Sequence, residues 1–200
     1  VNRESFDAMS GTNPTTLSHK DRRLLSILQT DSSKVVDENG EPMVVYHGRS
    51  AEFNTFEKKE GIRFVMGLED KVNAEGFFFS PDEEFAAKYA NNAVRHRGGK
   101  PNVVSCFLNI RRPMDLTADN FARIYKDVTG WEYNVGMDSQ DNMWEIMDEV
   151  GMADKLKAKG YDGAIFVEEM DEKYEPTQVS YCALDANQIK SADENNGELS

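Results

Sequence analysis

An apolar run, Val44-Val45-Tyr46, stops at His47-Gly48-Arg49, shortly after the turn signal Asn39-Gly40. A chain that delivers an imidazole to the end of a strand and then removes the neighbouring Cβ allows close approach at that point. The imidazole offers one directional donor or acceptor, and the glycine uncovers main-chain N–H and C=O groups. This is one way to build a small-molecule pocket. Taken alone, His47 also fits a plainer reading, a strand-end histidine bonded to backbone. The choice between them depends on what the rest of the chain brings to the same place.

The 200 residues suit one domain of ordinary size, and a composition of 39% hydrophobic and 30% charged residues supports a packed core. The net charge of −13 disfavours general binding to nucleic-acid backbone or to an anionic membrane, because the mean field repels both. Local basic clusters persist at Arg95-His96-Arg97-Gly98-Gly99-Lys100 and at Arg111-Arg112. The default for the first cluster is a solvated loop; the alternative is a phosphate or acceptor contact, for which Arg49 is a second candidate. Cys106 and Cys182 each sit inside an apolar run and read as buried thiols, with a disulfide between adjacent strands as the alternative. No Cys/His cluster has metal-ligand spacing. No run approaches the ~18 apolar residues of a membrane span. Residues 1–30 lack the apolar core of a signal peptide. The start at Val1 is expected of a processed chain or of a piece of a longer one.

Residues 1–32 read as a polar arm followed by a short helix, capped by Ser18 and running over Lys20–Gln29. Lys34–Val36 and Met43–Tyr46 flank a turn and predict a β-hairpin. Residues 57–75 are charged and punctuated by glycine, and predict a long loop. Gly76-Phe77-Phe78-Phe79 predicts a buried strand that leads into a helix capped by Ser80, with Pro81 at its first position and Glu83 completing a capping box. Further strands are expected at Val103–Ile110, Ala164–Val167 and Val179–Leu184. Helices are expected from a Thr117 cap to Val128 and over Asp141–Lys159, with a break at Gly151. Residues 193–200 form an acidic tail. Strands and helices alternate irregularly, which favours α+β over a regular βαβ array.

Two further units bear on His47. Alternation turns Phe78 to the strand face opposite Phe77 and Phe79. Tyr89 lies on the following helix beside Phe85 and Ala86. Each is a core residue by default; with His47 they make a stacking surface for a flat heterocycle. Gln178 and Ser180 share a face of the last long strand, where neither is a strong base but both can hydrogen-bond a sugar hydroxyl or an amide.

The ordered set Lys34-Val35-Val36-Asp37, Asn39-Gly40, Val44-Val45-Tyr46-His47-Gly48, Gly76-Phe77-Phe78-Phe79-Ser80 with Tyr89, Leu108-Asn109-Ile110 before Pro113, Gly160-Tyr161-Asp162-Gly163 and Asn187-Gln188-Ile189-Lys190-Ser191-Ala192 resembles the ADP-ribosyltransferase domains of phage polyvalent and MuF-type proteins and of bacterial effectors. These are relatives of the diphtheria-toxin and poly(ADP-ribose) polymerase branch. The resemblance covers residues 33–192 and implies an α+β fold, with two small bent antiparallel sheets around an NAD cleft and peripheral helices. It implies NAD as substrate and no metal. His47 would bond the NAD ribose, Gly48 would present its backbone to the nicotinamide carboxamide, and Tyr89 and Phe78 would wall the nicotinamide slot. Ser80 would shape the slot from the strand end. The closing Asn187–Ser191 signature reads as structural, although Gln188 is close enough in sequence to reach the site.

The chain departs from the family at the third catalytic position. The glutamate of polymerase-type members falls on Ser180, with Gln178 on the same face and Glu175 in a Pro-containing loop. The paired Glu-x-Glu of arginine-specific members is absent. Chain elongation, which needs a carboxylate to activate a ribose hydroxyl, is therefore disfavoured. The resemblance implies mono-ADP-ribosylation of a macromolecule, with protein favoured over nucleic acid by the acidic surface. It fits a delivered effector, a toxin or a phage-borne domain. An NAD glycohydrolase and an inactive NAD- or protein-binding module are the alternatives.

Overall fold

The computed structural model describes residues 32–50, 56, 60–65, 68–73, 75–134 and 137–192. The expected helix over Lys20–Gln29 and the acidic tail lie outside the described residues. Along the chain the elements are β1 (Val45–Arg49), β2 (Glu60–Val65), β3 (Leu68–Asn73), β4 (Phe77–Phe79), α1 (Glu83–Arg97), β5 (Asn102–Leu108), β6 (Pro113–Asp115), α2 (Phe121–Thr129), a 3₁₀ segment (Gln140–Asp148), α3 (Met152–Ala158), β7 (Gly163–Met170), β8 (Pro176–Ala183), a 3₁₀ turn (Ala186–Gln188) and β9 (Ile189–Ser191).

Among the described residues the strands form three sheets, in the orders β1-β5-β9, β2-β3 and β4-β8-β7-β6. The α+β class holds, but the expectation of purely antiparallel sheets does not. β6 runs parallel to β7, with Met114 opposite Ala164. The cause is topological: a parallel neighbour requires a crossover, and the chain between β6 and β7 supplies one through α2, the first 3₁₀ segment and α3.

The core lies in two layers. Val35, Val45, Phe77, Phe79, Cys106, Leu108, Ile110 and Ala183 pack between the sheet of β1 and the sheet of β4. Met114, Leu116, Met147, Leu156, Phe166 and Cys182 fill the far side of the four-stranded sheet, beneath the crossover. The strand Phe77-Phe78-Phe79 feeds both layers by alternation, its outer residues buried in the first and Phe78 packed against the second. Phe79 is 1% exposed, and its burial contributes about 2–3 kcal/mol. Both cysteines are buried free thiols.

Several local expectations shift. The first hairpin shrinks to a Val36–Pro42 bridge, because Asp37 Oδ1 accepts from the Asn39 and Glu41 amides and closes a tight turn. Residues 57–75 contain the β2–β3 hairpin rather than a long loop throughout. Helix α1 starts at Glu83 under an Asp82 cap whose side chain accepts from the Phe85 amide; the Ser80–Glu83 capping box does not form, since the Ser80 hydroxyl accepts from the Asp82 amide instead. Helix α2 begins at Phe121, not after Thr117, whose amide and hydroxyl both donate to Asp115 Oδ1. The expected break at Gly151 does separate a 3₁₀ segment from α3.

The Asn187–Ser191 signature is structural. Gln188 Oε1 accepts from the amides of Leu184 and Asp185 at 3.0 and 2.9 Å. Gln188 Nε2 donates to the carbonyls of Asn109 and Asp162 at 3.1 and 2.7 Å. The Asp162 carboxylate in turn accepts from the amides of Arg111 and Arg112 at 2.9 and 2.7 Å. One amide side chain thus ties the ends of β5 and β8 to the start of β7. Gln188→Ala is expected to cost about 2–3 kcal/mol, as the lower midpoint of a urea unfolding curve with unchanged slope.

Candidate active site

Strand β1 is the edge strand of its sheet and faces the end of β4. On one edge it pairs with β5, with Tyr46 opposite Ser105 and Gly48 opposite Val103. On the other edge it makes a single bridge, in which the amides of Tyr46 and Ser80 each donate to the other's carbonyl at 2.8 and 2.9 Å. Backbone polar groups alternate sides along a strand. Because those of Tyr46 point at Ser80, those of Gly48 point the same way, away from β5. Extending the bridge by two residues would set Gly48 against Phe78, yet the bridge is isolated. The Phe78 carbonyl is instead taken by the His47 ring, with Nδ1 donating at 2.7 Å. Gly48 N–H, Gly48 C=O and Phe78 N–H therefore border one gap between β1 and β4. A primary carboxamide, which both donates and accepts, matches such a border.

The contact with Phe78 fixes the histidine chemically. A carbonyl can only accept, so Nδ1 carries the proton and Nε2 keeps its lone pair in the neutral ring. Burial lowers the His47 pKa below the ordinary histidine value; the Phe78 bond opposes this and the nearby Arg49 charge reinforces it. The ring packs at 5.3 Å from both Phe56 and Phe79. The site thus holds a neutral imidazole that presents an acceptor.

Helix α1 lies directly on Gly48. A Cβ built there would fall 1.9 Å from the Ala86 carbonyl oxygen and 2.8 Å from the Ala90 nitrogen. Tyr89 lies in the same turn of α1, between Ala86 and Ala90, whose backbone meets Gly48. The Tyr89 ring stands edge-on to Phe85 at 5.3 Å, and the residue is 48% exposed. Phe78 stacks on Phe166 at 5.9 Å, on the sheet face that also carries Ser180, paired with Phe166 across β7 and β8.

Most of the other candidates have structural partners of their own. Ser80 is 4% exposed, and its hydroxyl serves the turn into α1. Gln178 Nε2 donates to Asp82 Oδ2 at 2.8 Å, which joins β8 to the cap of α1. Ser180 is 2% exposed, and its Oγ is buried with no hydrogen bond of proper geometry. Glu175 is exposed at the tip of the β7–β8 hairpin, its amide held by Asp171 Oδ1. The Gln188 side chain is engaged in the knot described above. Arg49 ends β1 beside His47. Gly99 packs against Ser50, so the basic turn after α1 lies beside the end of β1.

Sequence reasoning misses one residue. Glu168 on β7 accepts a hydrogen bond from the Tyr89 hydroxyl at Oε2, 3.2 Å away. Burial raises its pKa; the Ser180 hydroxyl and the Tyr89 bond lower it, and Glu169 raises it. Burial first and Glu168 second push the Tyr89 phenol up as well. The available signal was the acidic pair Glu168-Glu169 closing the apolar run Ala164–Val167. Among the described residues, no group of three or more His, Cys, Asp or Glu is placed to hold a metal ion. Among the same residues, no helix is long and apolar enough to cross a membrane.

A family model described as ADP-ribosyltransferase in polyvalent proteins matches residues 37–199. No curated protein and no solved structure matches the chain.

Two outcomes follow from the packing and the charges. Gly48→Ala is expected to destabilise the fold by about 3 kcal/mol, measured by urea unfolding, because the new methyl meets helix backbone. Glu168 has a folded-state pKa raised above its unfolded value, so its contribution to stability is present at low pH and lost as pH rises through the folded pKa. Glu168→Gln is therefore expected to melt higher than the parent at pH 7.5, with the difference vanishing toward pH 4.

Proposed function

The chain belongs to the ADP-ribosyltransferase family of polyvalent proteins, and from that premise we propose that it transfers a single ADP-ribosyl group from NAD to a macromolecular acceptor, with release of nicotinamide. ADP-ribosyltransferase domains take NAD as their substrate. The observation that carries the reading is the tie between His47 and the Phe78 carbonyl, beside the open backbone of Gly48 and one helical turn from Tyr89.

In this reading the nicotinamide carboxamide bonds the Gly48 N–H and C=O, which neither β5 nor β4 engages. Its ring lies against Tyr89 and Phe78. The lone pair on His47 Nε2 accepts from a ribose hydroxyl. Arg49 and the basic turn after α1 supply cations for the pyrophosphate. These contacts hold the dinucleotide with its glycosidic bond accessible, which supplies the orientational part of catalysis.

The chemistry is substitution at the ribose carbon. The bond from that carbon to the pyridinium nitrogen breaks, its electron pair leaves with neutral nicotinamide, and the acceptor nucleophile takes the vacated position and gives up its proton. Because the ring leaves as a neutral molecule, the main requirement is stabilisation of positive charge on the sugar as the bond lengthens. The absence of a Glu-x-Glu pair supports transfer to an acceptor other than arginine. The net charge of −13 favours a protein acceptor over nucleic acid.

NAD labelled in the ADP-ribose part, incubated with the protein and a cell lysate, is the direct test. Label on a discrete protein band together with free nicotinamide is expected. Nicotinamide without label would instead identify a glycohydrolase, and NAD binding with neither product an inactive module. His47→Ala and Tyr89→Ala are each expected to lower nicotinamide release by about a hundredfold or more while the far-UV circular dichroism is retained.

A further inference from the structure

We propose that Glu168 is the catalytic carboxylate of this site, reaching it from β7 rather than from β8, where Gln178 and Ser180 stand. The proposal rests on the transferase reading above and names the residue that the β8 positions do not supply.

The bulge in β7 provides the geometry. Phe166 pairs with Ser180 and Val167 with Val179, but the register then shifts, and Glu169 pairs with Gln178. Glu168 is left over in the irregularity, without a cross-strand partner of its own. A bulged residue is re-aimed relative to its strand. Here the carboxylate is directed at the Tyr89 hydroxyl, 3.2 Å away, and toward buried Ser180. It therefore joins the aromatic residue on α1 to the sheet face shared by Phe78, Phe166 and Ser180.

The β8 residues cannot do this work. Ser180 and Gln178 are neutral, and the Gln178 amide is engaged by Asp82. Glu169 and Glu175 are exposed. A carboxylate beside the reacting sugar can accept a hydrogen bond from a ribose hydroxyl and balance the positive charge that grows as nicotinamide departs. The groups facing Glu168 are the Tyr89 phenol from α1, the Ser180 hydroxyl from β8 and Glu169 from its own strand. Burial raises the Glu168 pKa, so the group disfavours the folded state at neutral pH. A buried carboxyl of this kind, held beside Tyr89 and Ser180, fits a catalytic role.

The test compares the parent chain with Glu168→Gln and Tyr89→Phe, using labelled NAD and a lysate, with NAD affinity measured separately by calorimetry. Glu168→Gln is expected to lower the rate of nicotinamide release by about a hundredfold or more, with the NAD Kd changed by less than about threefold. Tyr89→Phe keeps the ring and removes the hydrogen bond that favours the ionised carboxylate. Its acid limb of rate against pH is expected to move to higher pH. A Glu168→Gln chain that works within about threefold of the parent overturns the proposal, and so does one that fails because NAD no longer binds. An acid limb unmoved by Tyr89→Phe overturns it as well. A parent chain that binds NAD but releases no nicotinamide sinks the transferase reading itself, an outcome separable from all of these.

Discussion

The contact between Gly48 and helix α1 governs the arrangement of the site. With no Cβ at position 48, the helix backbone at Ala86 and Ala90 reaches β1 at a distance that no other residue permits. That approach sets the height of α1 over the strand. The height decides where Tyr89, one residue before Ala90, delivers its phenol, and the phenol meets Glu168 on the other main sheet. The same glycine leaves its amide and carbonyl turned toward the gap beside Phe78. One missing methyl group therefore positions both the aromatic wall and the polar border of the candidate slot.

His47 and Glu168 are perturbed in opposite chemical senses by the same cause. Burial disfavours charge on either group, so it keeps the imidazole neutral and resists ionisation of the carboxyl. For the histidine this agrees with the Phe78 contact, which fixes the tautomer and leaves an acceptor free. For the glutamate it works against folding at neutral pH. A site that combines a comfortable imidazole with an uncomfortable carboxyl has the asymmetry expected where one group binds and the other handles charge.

What the chain discloses in one dimension is local. The strand that carries His47-Gly48, the strand Phe77–Phe79 and the helix that carries Tyr89 are legible because each depends on a short run with its own periodicity or break. The knot around Gln188 is legible only as a motif, since its partners at Asn109 and Asp162 lie far away in sequence. Glu168 escapes because a bulge breaks the alternation by which strand faces are counted; counting back from Gln188 leads to β8 and never to the adjacent strand. The hairpin of β2 and β3 escapes for a different reason: Glu60–Asn73 is charged and lacks a clean period of two. Ser80 and Thr117 look like helix caps, but the Ser80 hydroxyl accepts from the Asp82 amide while Asp82 takes the Phe85 amide and caps α1, and Thr117 gives both its amide and its hydroxyl to Asp115.

The parallel pairing of β6 with β7 has a consequence for how such a domain can diversify. Pro113–Asp115 and Gly163–Ile165 are clamped side by side, so everything between them is an excursion that leaves and returns at one fixed address. Closing a longer excursion is inexpensive, since each doubling of its length costs only about 0.6 kcal/mol. That stretch can therefore lengthen, shorten or be replaced while the gap between β1 and β4 stays in register. The excursion and the candidate site are thereby free to evolve on separate clocks.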